Sequence, residues 1–418
     1  MKPPSPAAAS AGLVLQSQAI APEPNLARAE QLVLELLSIE GASGQEGAVV
    51  EFLQQKLLAA GAPPHALRTD HAHRQSPFGG QTGNLILTLP GSRRGPRRLL
   101  TAHMDTVPLC VGAQPRVVGD LVRSADRRTG LGADDRAGVA AILTAALEIL
   151  ERRLPHPPLT FCWLVQEEVG LWGARLVSQG LLGRPAMGFN WDGGACEKVT
   201  IGATGAYRLQ IDIEGLASHA GVCPEQGVSA IAIAGLAIAE LARDGWHGRI
   251  VRGRHEGTSN VGQICGGRAT NVVADHVVVH AEARSHDPQF RQRIVQQFQR
   301  AFARAARQVR NAAGKKGKVQ MQAELAYESF RLPPQSACVQ VAQSAVADVG
   351  RQPELAISNG GLDANWLTAR GIPTVTLGCG QMNVHTTEEA LDRAAFRDAC
   401  RIALRIATGW SARPTAAS

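Results

Sequence analysis

Three apolar runs in this chain end in acid or imidazole, and that pattern limits both the fold and the chemistry open to it. Arg98–His103 leads into Met104-Asp105, Leu159–Val165 into Gln166-Glu167-Glu168, and Met187–Trp191 into Asp192. Runs this short, bounded by Gly, Pro and polar residues, are buried strands. A further acidic pair, Gly132-Ala133-Asp134-Asp135, opens a stretch from Asp134 to Arg153 that reads as a buried helix. Strands alternating with helices predict an α/β fold with a mostly parallel mixed sheet covered by helices. Such sheets present their chemistry at the carboxyl ends of the strands, where these acids sit.

With 418 residues, 44% of them apolar and 19% charged, the chain is long enough for two buried cores. From Tyr207 the pattern changes. Strand 207–214, helix 228–244, strands 258–265 and 277–285, helix 288–313 and strand 318–329 give the β-α-β-β-α-β order of a ferredoxin-like α+β sandwich. Gly202 and Gly205 at its entry and Pro333-Pro334 at its exit mark crossing points. Ile357, the helix 363–369, the strand 372–377 and a last helix from Thr387 to about Trp410 resume the first pattern. The expected organisation is a flexible tail over 1–24, a discontinuous catalytic domain over 25–205 and 330–418, and an inserted domain over 206–329.

Composition narrows the setting. No run of about 18 uncharged apolar residues occurs, so no membrane span is expected. Eight scattered cysteines without a Cys-x-x-Cys pair fit buried thiols in a reducing compartment, which predicts a cytoplasmic protein. The net charge of +7 is concentrated in Arg291–Lys318, an amphipathic helix and turn without interleaved aromatics. A solvated helix face explains it, and no nucleic-acid partner is expected.

Imidazoles and carboxylates without paired thiolates form the ligand set of a hydrolytic zinc, cobalt or manganese site. In His103-Met104-Asp105 the two side chains share one side of a strand end, so His103 can bind a metal while Asp105 orients its ring. Of the two aspartates at the helix start, Asp134 is the better bridge between two cations and Asp135 the better helix opener. Adjacent Glu167 and Glu168 ending a buried strand repel each other unless a cation is near. One can bind metal while the other takes a proton as general base. Asp192 before Gly193-Gly194 and the solitary His385 complete the candidates.

Ala102-His103-Met104-Asp105, Gly132-Ala133-Asp134-Asp135, Gln166-Glu167-Glu168-Val169-Gly170, Asn190-Trp191-Asp192 and His385 together resemble the co-catalytic zinc exopeptidase family of peptidase T, glutamate carboxypeptidase, aminoacylase and succinyl-diaminopimelate desuccinylase. Gly360-Gly361-Leu362-Asp363-Ala364-Asn365, Gly371-Ile372-Pro373-Thr374 and His385-Thr386-Thr387-Glu388 most resemble its peptidase T-like branch. The resemblance implies two divalent cations, zinc first with cobalt or manganese as alternatives. Asp134 would bridge them, Glu168 and His385 would complete one site, and His103 and Asp192 the other. Asp105 would orient His103, and Glu167 would be the general base for a metal-held hydroxide. Ala217-Ser218-His219-Ala220-Gly221 implies that His219 stabilises the oxyanion, in its own or a partner subunit. Asn271 and Arg284 would hold a terminal carboxylate of the substrate. The inserted domain would then serve as lid and dimerisation unit of a homodimer. The implied activity is cleavage of an amide in a small peptide or N-acyl amino acid, with a tripeptidase-like aminopeptidase first. A carboxypeptidase or deacylase comes second, and a non-catalytic metal-binding module third. Leu362 departs from the family's Thr or Ser and loses a hydroxyl, which bears on substrate preference.

Overall fold

The computed structural model describes residues 21–410, so residues 1–20 of the expected tail lie outside the described residues. One large sheet runs in spatial order Leu67–Thr69, Leu85–Leu89, Leu159–Leu164, Arg98–His103, Met187–Trp191, Thr374–Leu377, Lys198–Ala203 and Phe330–Arg331. Glu354–Ser358 pairs parallel to Lys198–Ala203. The four central strands, from Leu159–Leu164 to Thr374–Leu377, are parallel. Leu85–Leu89 and Lys198–Ala203 flank them antiparallel, which makes the sheet mixed.

The continuous apolar runs are explained by burial on both faces. Leu85, Leu87, Leu89 and Leu100 join the core beneath the helices Leu26–Leu37, Ala133–Arg152, Ala337–Asp348 and Arg393–Thr408. Ile86, Leu99, Cys162 and Leu164 face the other way and pack with Leu182, Leu367 and Ile372. At about 1.5–3 kcal/mol for each fully buried large aliphatic side chain, this two-sided burial holds the central strands in register. Register then fixes which residues emerge at the strand ends.

Between Ala203 and Phe330 the chain builds a second, antiparallel sheet with its own core. Its order is Gly248–Arg252, His255–Gly266, His276–Ser285, Gly205–Glu214 and Lys318–Tyr327. The helices Ala230–Arg243 and Pro288–Gln308 cover it, with Ile211, Ile213, Val277, Ile233, Phe298 and Phe302 between the layers. Four of these strands keep the ferredoxin-like order. The fifth, Gly248–Arg252, is a hairpin strand the sequence reading lacks, because only Ile250 in it is buried and no alternation signals it. At the entry, a Cβ on Gly205 would collide with the Arg291 guanidinium, which pairs with Glu328 at the exit. The return crossing therefore falls at Glu328–Ser329, before Pro333-Pro334.

Two helix boundaries also shift. The sequence has helical periodicity over Asn25–Ala60, which the structure divides into Leu26–Leu37 and Gly47–Ala59 around a turn that holds Gly41 and Gly44. The last helix begins only at Arg393, because Gln381–Met382 and Ala390–Asp392 form a hairpin that joins Leu121–Ser124 and Pro115–Val118 in a small third sheet. Among the described residues no helix is long and apolar enough to cross a membrane.

The helix Ala133–Arg152 lies close against the sheet at Gly138, where an added Cβ would meet the Trp191 carbonyl oxygen and the Asp135 carboxylate. Gly138→Ala should lower the unfolding free energy by about 1–3 kcal/mol through overpacking. Urea denaturation checks this, and a wild-type midpoint would show that the helix can back away freely.

Candidate metal centre

The carboxyl ends of three parallel strands meet the hairpin of His385 and the start of the helix Ala133–Arg152. His103 is the last residue of its strand and is buried. Its Nδ1 lies 3.0 Å from the Asp105 carbonyl oxygen, so that nitrogen carries the proton and donates. Nε2 faces Asp134 Oδ1 at 3.2 Å and Asp192 Oδ1 at 3.8 Å. His385 Nε2 faces the other oxygen of the same carboxylate, Asp134 Oδ2, at 3.2 Å, and Glu168 Oε1 at 3.0 Å. Asp134 thus lies between two imidazoles with one oxygen toward each. His385 is held at φ 62° and Gln166 at φ 55°, a left-handed conformation that costs about 1–3 kcal/mol and is common where function fixes the backbone.

The acids around this point divide by what they touch. The Asp105 carboxylate lies 3.5 Å from His103 Nδ1, but its closer partners are the Glu167 N–H at 2.9 Å, the Glu168 N–H at 3.2 Å and the Ser43 hydroxyl at 2.6 Å. It therefore aims the Glu167-Glu168 turn as well as the ring. Asp135 accepts from the His103 N–H, the Gly138 N–H and Gln381 Nε2, so it caps the helix and supports the strand end. Glu46, buried beneath Asp105, accepts from the Gln166 and Gly44 N–H groups. Arg136, also buried, donates to the Leu36 and Gly41 carbonyls close by.

So many acids out of water shift one another. Burial pushes the Glu167 and Asp192 carboxyls well above the ordinary range, and neighbouring carboxylates add to it, Asp192 for Glu167 and Asp134 for Asp192. Burial likewise lifts Glu46 and Asp363 to about 7. Hydrogen bonds donated to the Asp134 and Glu168 carboxylates raise His385 to about 10. Against the effect of burial, the imidazoles in turn hold Asp134 and Asp105 below the ordinary carboxylate range, so negative charge outweighs positive here. One ligand triplet, Asp134 with Glu168 and His385, is an expected set, whereas a second groups His103 and Asp192 with Asp135 in place of the expected Asp134. The His103, Glu167 and Glu168 side chains form a third. Donors on a tetrahedral zinc with bonds of about 2.0–2.1 Å lie roughly 3.3 Å apart, close to the imidazole–carboxylate spacings here. The residues fit two divalent cations.

The remaining candidates are spread along the second sheet. Arg284 sits at one end of the strand His276–Ser285, near Tyr327, which lies close to Glu167 as well. Its Nε and Nη2 engage Glu282, each at 2.9 Å. The exposed His219 and Asn271 lie together beyond the other end, joined by the Ala220 N–H donating to the Asn271 carbonyl at 2.9 Å. At about 3.4 Å per residue the strand separates the two groups by more than 20 Å. The structure therefore brings Arg284 toward the acidic cluster but not His219 or Asn271. Sequence reasoning passed over Glu46, Arg136, Gln381, Tyr327 and the buried Asp363, whose carboxyl oxygens have no hydrogen-bond partner. Asp363 alone lay inside a motif singled out from sequence.

Imidazoles and carboxylates gathered at the ends of parallel strands, around one shared aspartate, define a metal-dependent hydrolase. The chain belongs to peptidase family M20/M25/M40, whose model matches residues 99–409. It is similar in structure to a tripeptidase from Staphylococcus aureus, with TM-score 0.82 and 32% identity over 93% of this chain and 99% of that one. It is also similar to aminopeptidase PepT from Bacillus cereus, with TM-score 0.78 and 32% identity over 92% and 98%. Peptidase T of Escherichia coli K12 is 26% identical over 369 residues, 78% of this chain and 85% of that relative. The protein is a metal-dependent peptidase of the peptidase T-like branch.

Asp363 gives this centre a pH signature. Its folded value is raised, so its contribution to stability is present at acid pH and is lost as pH rises from about 4 through 7. In the metal-free protein, Asp363→Asn should therefore gain stability relative to wild type across that window, by up to about 1 kcal/mol per pH unit. Thermal melts between pH 5 and 8 read this directly, and a difference that stays flat with pH would contradict it.

Proposed function

We propose that the chain is a two-metal aminopeptidase that removes the first residue of tripeptides. His103, Asp134 and Asp192 hold one cation, and Asp134, Glu168 and His385 the other. The observation that carries this reading is the Asp134 carboxylate with one oxygen toward each imidazole. Two bound divalent cations, zinc first with cobalt or manganese suited to the same donors, supply Lewis acidity at the scissile carbonyl and at the attacking water. Glu167 takes a proton from that water on its carboxylate and returns it to the leaving amine nitrogen. Its buried position raises its proton affinity, and Asp105 fixes its backbone.

His219 donates to the oxyanion, and Asn271 and Arg284 hold the peptide's terminal carboxylate, with Arg284 suited to a fork-like grip. Because His219 and Asn271 lie far from Arg284 along the sheet, we assign them to the active site of a partner subunit in a homodimer, with residues 206–329 as lid and dimerisation unit. The unpaired cysteines suit a cytoplasmic enzyme.

Glu167→Ala should keep both metals and lose turnover by several orders of magnitude, as expected when a general base is removed. Unchanged tripeptide hydrolysis in that variant would sink the assigned role. Acetylating the peptide's amino terminus should abolish cleavage, whereas a carboxypeptidase or deacylase would tolerate it. Mixing inactive His219→Ala and Glu167→Ala proteins should restore part of the activity if the histidine acts across subunits. No recovery, with subunit exchange verified, would place it in the same chain.

A further inference from the structure

The Glu389 side chain is buried at the foot of the His385 hairpin, whereas its neighbour Glu388 is exposed. Its partners are chiefly backbone N–H groups of one turn. Oε2 accepts from Leu131 at 2.8 Å and Gly132 at 2.7 Å, and Oε1 accepts from Asp134 at 3.0 Å. The Cys110 thiol lies 3.5 Å from Oε2. The turn is closely fitted around this carboxylate. Gly132 adopts φ 80°, and a Cβ on Gly130 would come to 3.0 Å from Oε2.

We propose that Glu389 is a positioning residue of the metal centre, fixing the Asp134 carboxylate between His103 and His385. This rests on the two-metal reading above. Three N–H donors converge on one carboxylate, so the turn can settle only with Asp134 in a single place. Glu389 lies on the hairpin that carries His385, and so it also sets the 3.2 Å approach of His385 Nε2 to Asp134 Oδ2. The bridging ligand and one terminal ligand are thereby locked to each other through a side chain that touches neither cation. Outer groups that orient metal ligands typically change metal affinity or activity by about 10–100-fold when altered.

The test is Glu389→Gln, which keeps the shape but turns one oxygen into an NH2 group. Whichever way the amide sits, an N–H donor of the turn faces another donor. Cobalt(II) titration of the metal-free protein should show the weaker of two binding events lost or reduced by about 10–100-fold. With a tripeptide substrate kcat should fall while KM stays near wild type. Glu389→Asp keeps two acceptor oxygens and should recover part of both losses, and it serves as the deciding variant if Glu389→Gln does not fold. Wild-type cobalt affinity for both ions, or a wild-type kcat, would overturn the role of Glu389. So would a loss matched entirely by the fraction of unfolded chain. A wild-type chain that binds fewer than two cobalt ions would instead overturn the two-metal reading.

Discussion

Negative charge crowded at the carboxyl ends of the central strands, away from water, is the constraint on which the site depends. Asp105, Asp134, Asp135, Glu167, Glu168 and Asp192 all emerge where three parallel strands end, and Glu46 and Asp363 lie beneath them. Unpaired charges at such depth cost several kcal/mol each. Asp105, Asp135 and Glu46 lower the cost by accepting backbone N–H groups. Asp134, Glu168 and Asp192 face mainly imidazole nitrogens, which leaves a demand for cations.

The scaffold serves that demand by rigidity. Central strands buried on both faces cannot slip by one residue without turning His103 away from the helix start. Gly138 lets the helix Ala133–Arg152 approach Trp191, so the carboxylates that open the helix arrive beside the strand end. Glu389 ties the hairpin of His385 to the same turn. Ligands from distant parts of the chain reach one point because each is anchored by hydrogen bonds as well as by packing.

Much of this was legible in the sequence. The apolar runs ended in acids because parallel strands are buried throughout and then open at their carboxyl ends, so His103, Glu167-Glu168 and Asp192 announced themselves. Asp134 and Asp135 read as different in task from their place at a helix start, and in the structure Asp135 accepts the Gly138 N–H. The supporting groups were less visible. Glu46 and Glu389 act through backbone N–H groups of loops remote in sequence, a relation that no local periodicity encodes. The part of the His385 hairpin after Thr387 reads as the start of a helix in sequence because the hairpin strands are only two and three residues long. Strand Gly248–Arg252 escaped notice for want of buried residues.

The central claim is that one aspartate is shared by two cations. Electron paramagnetic resonance of the protein loaded with cobalt(II) tests it most directly. The account predicts two cobalt ions per chain whose signal is weakened by magnetic coupling through Asp134, with coupling lost in Asp134→Asn. Two ions that remain uncoupled in the wild-type protein, or a single ion at saturation, would contradict it.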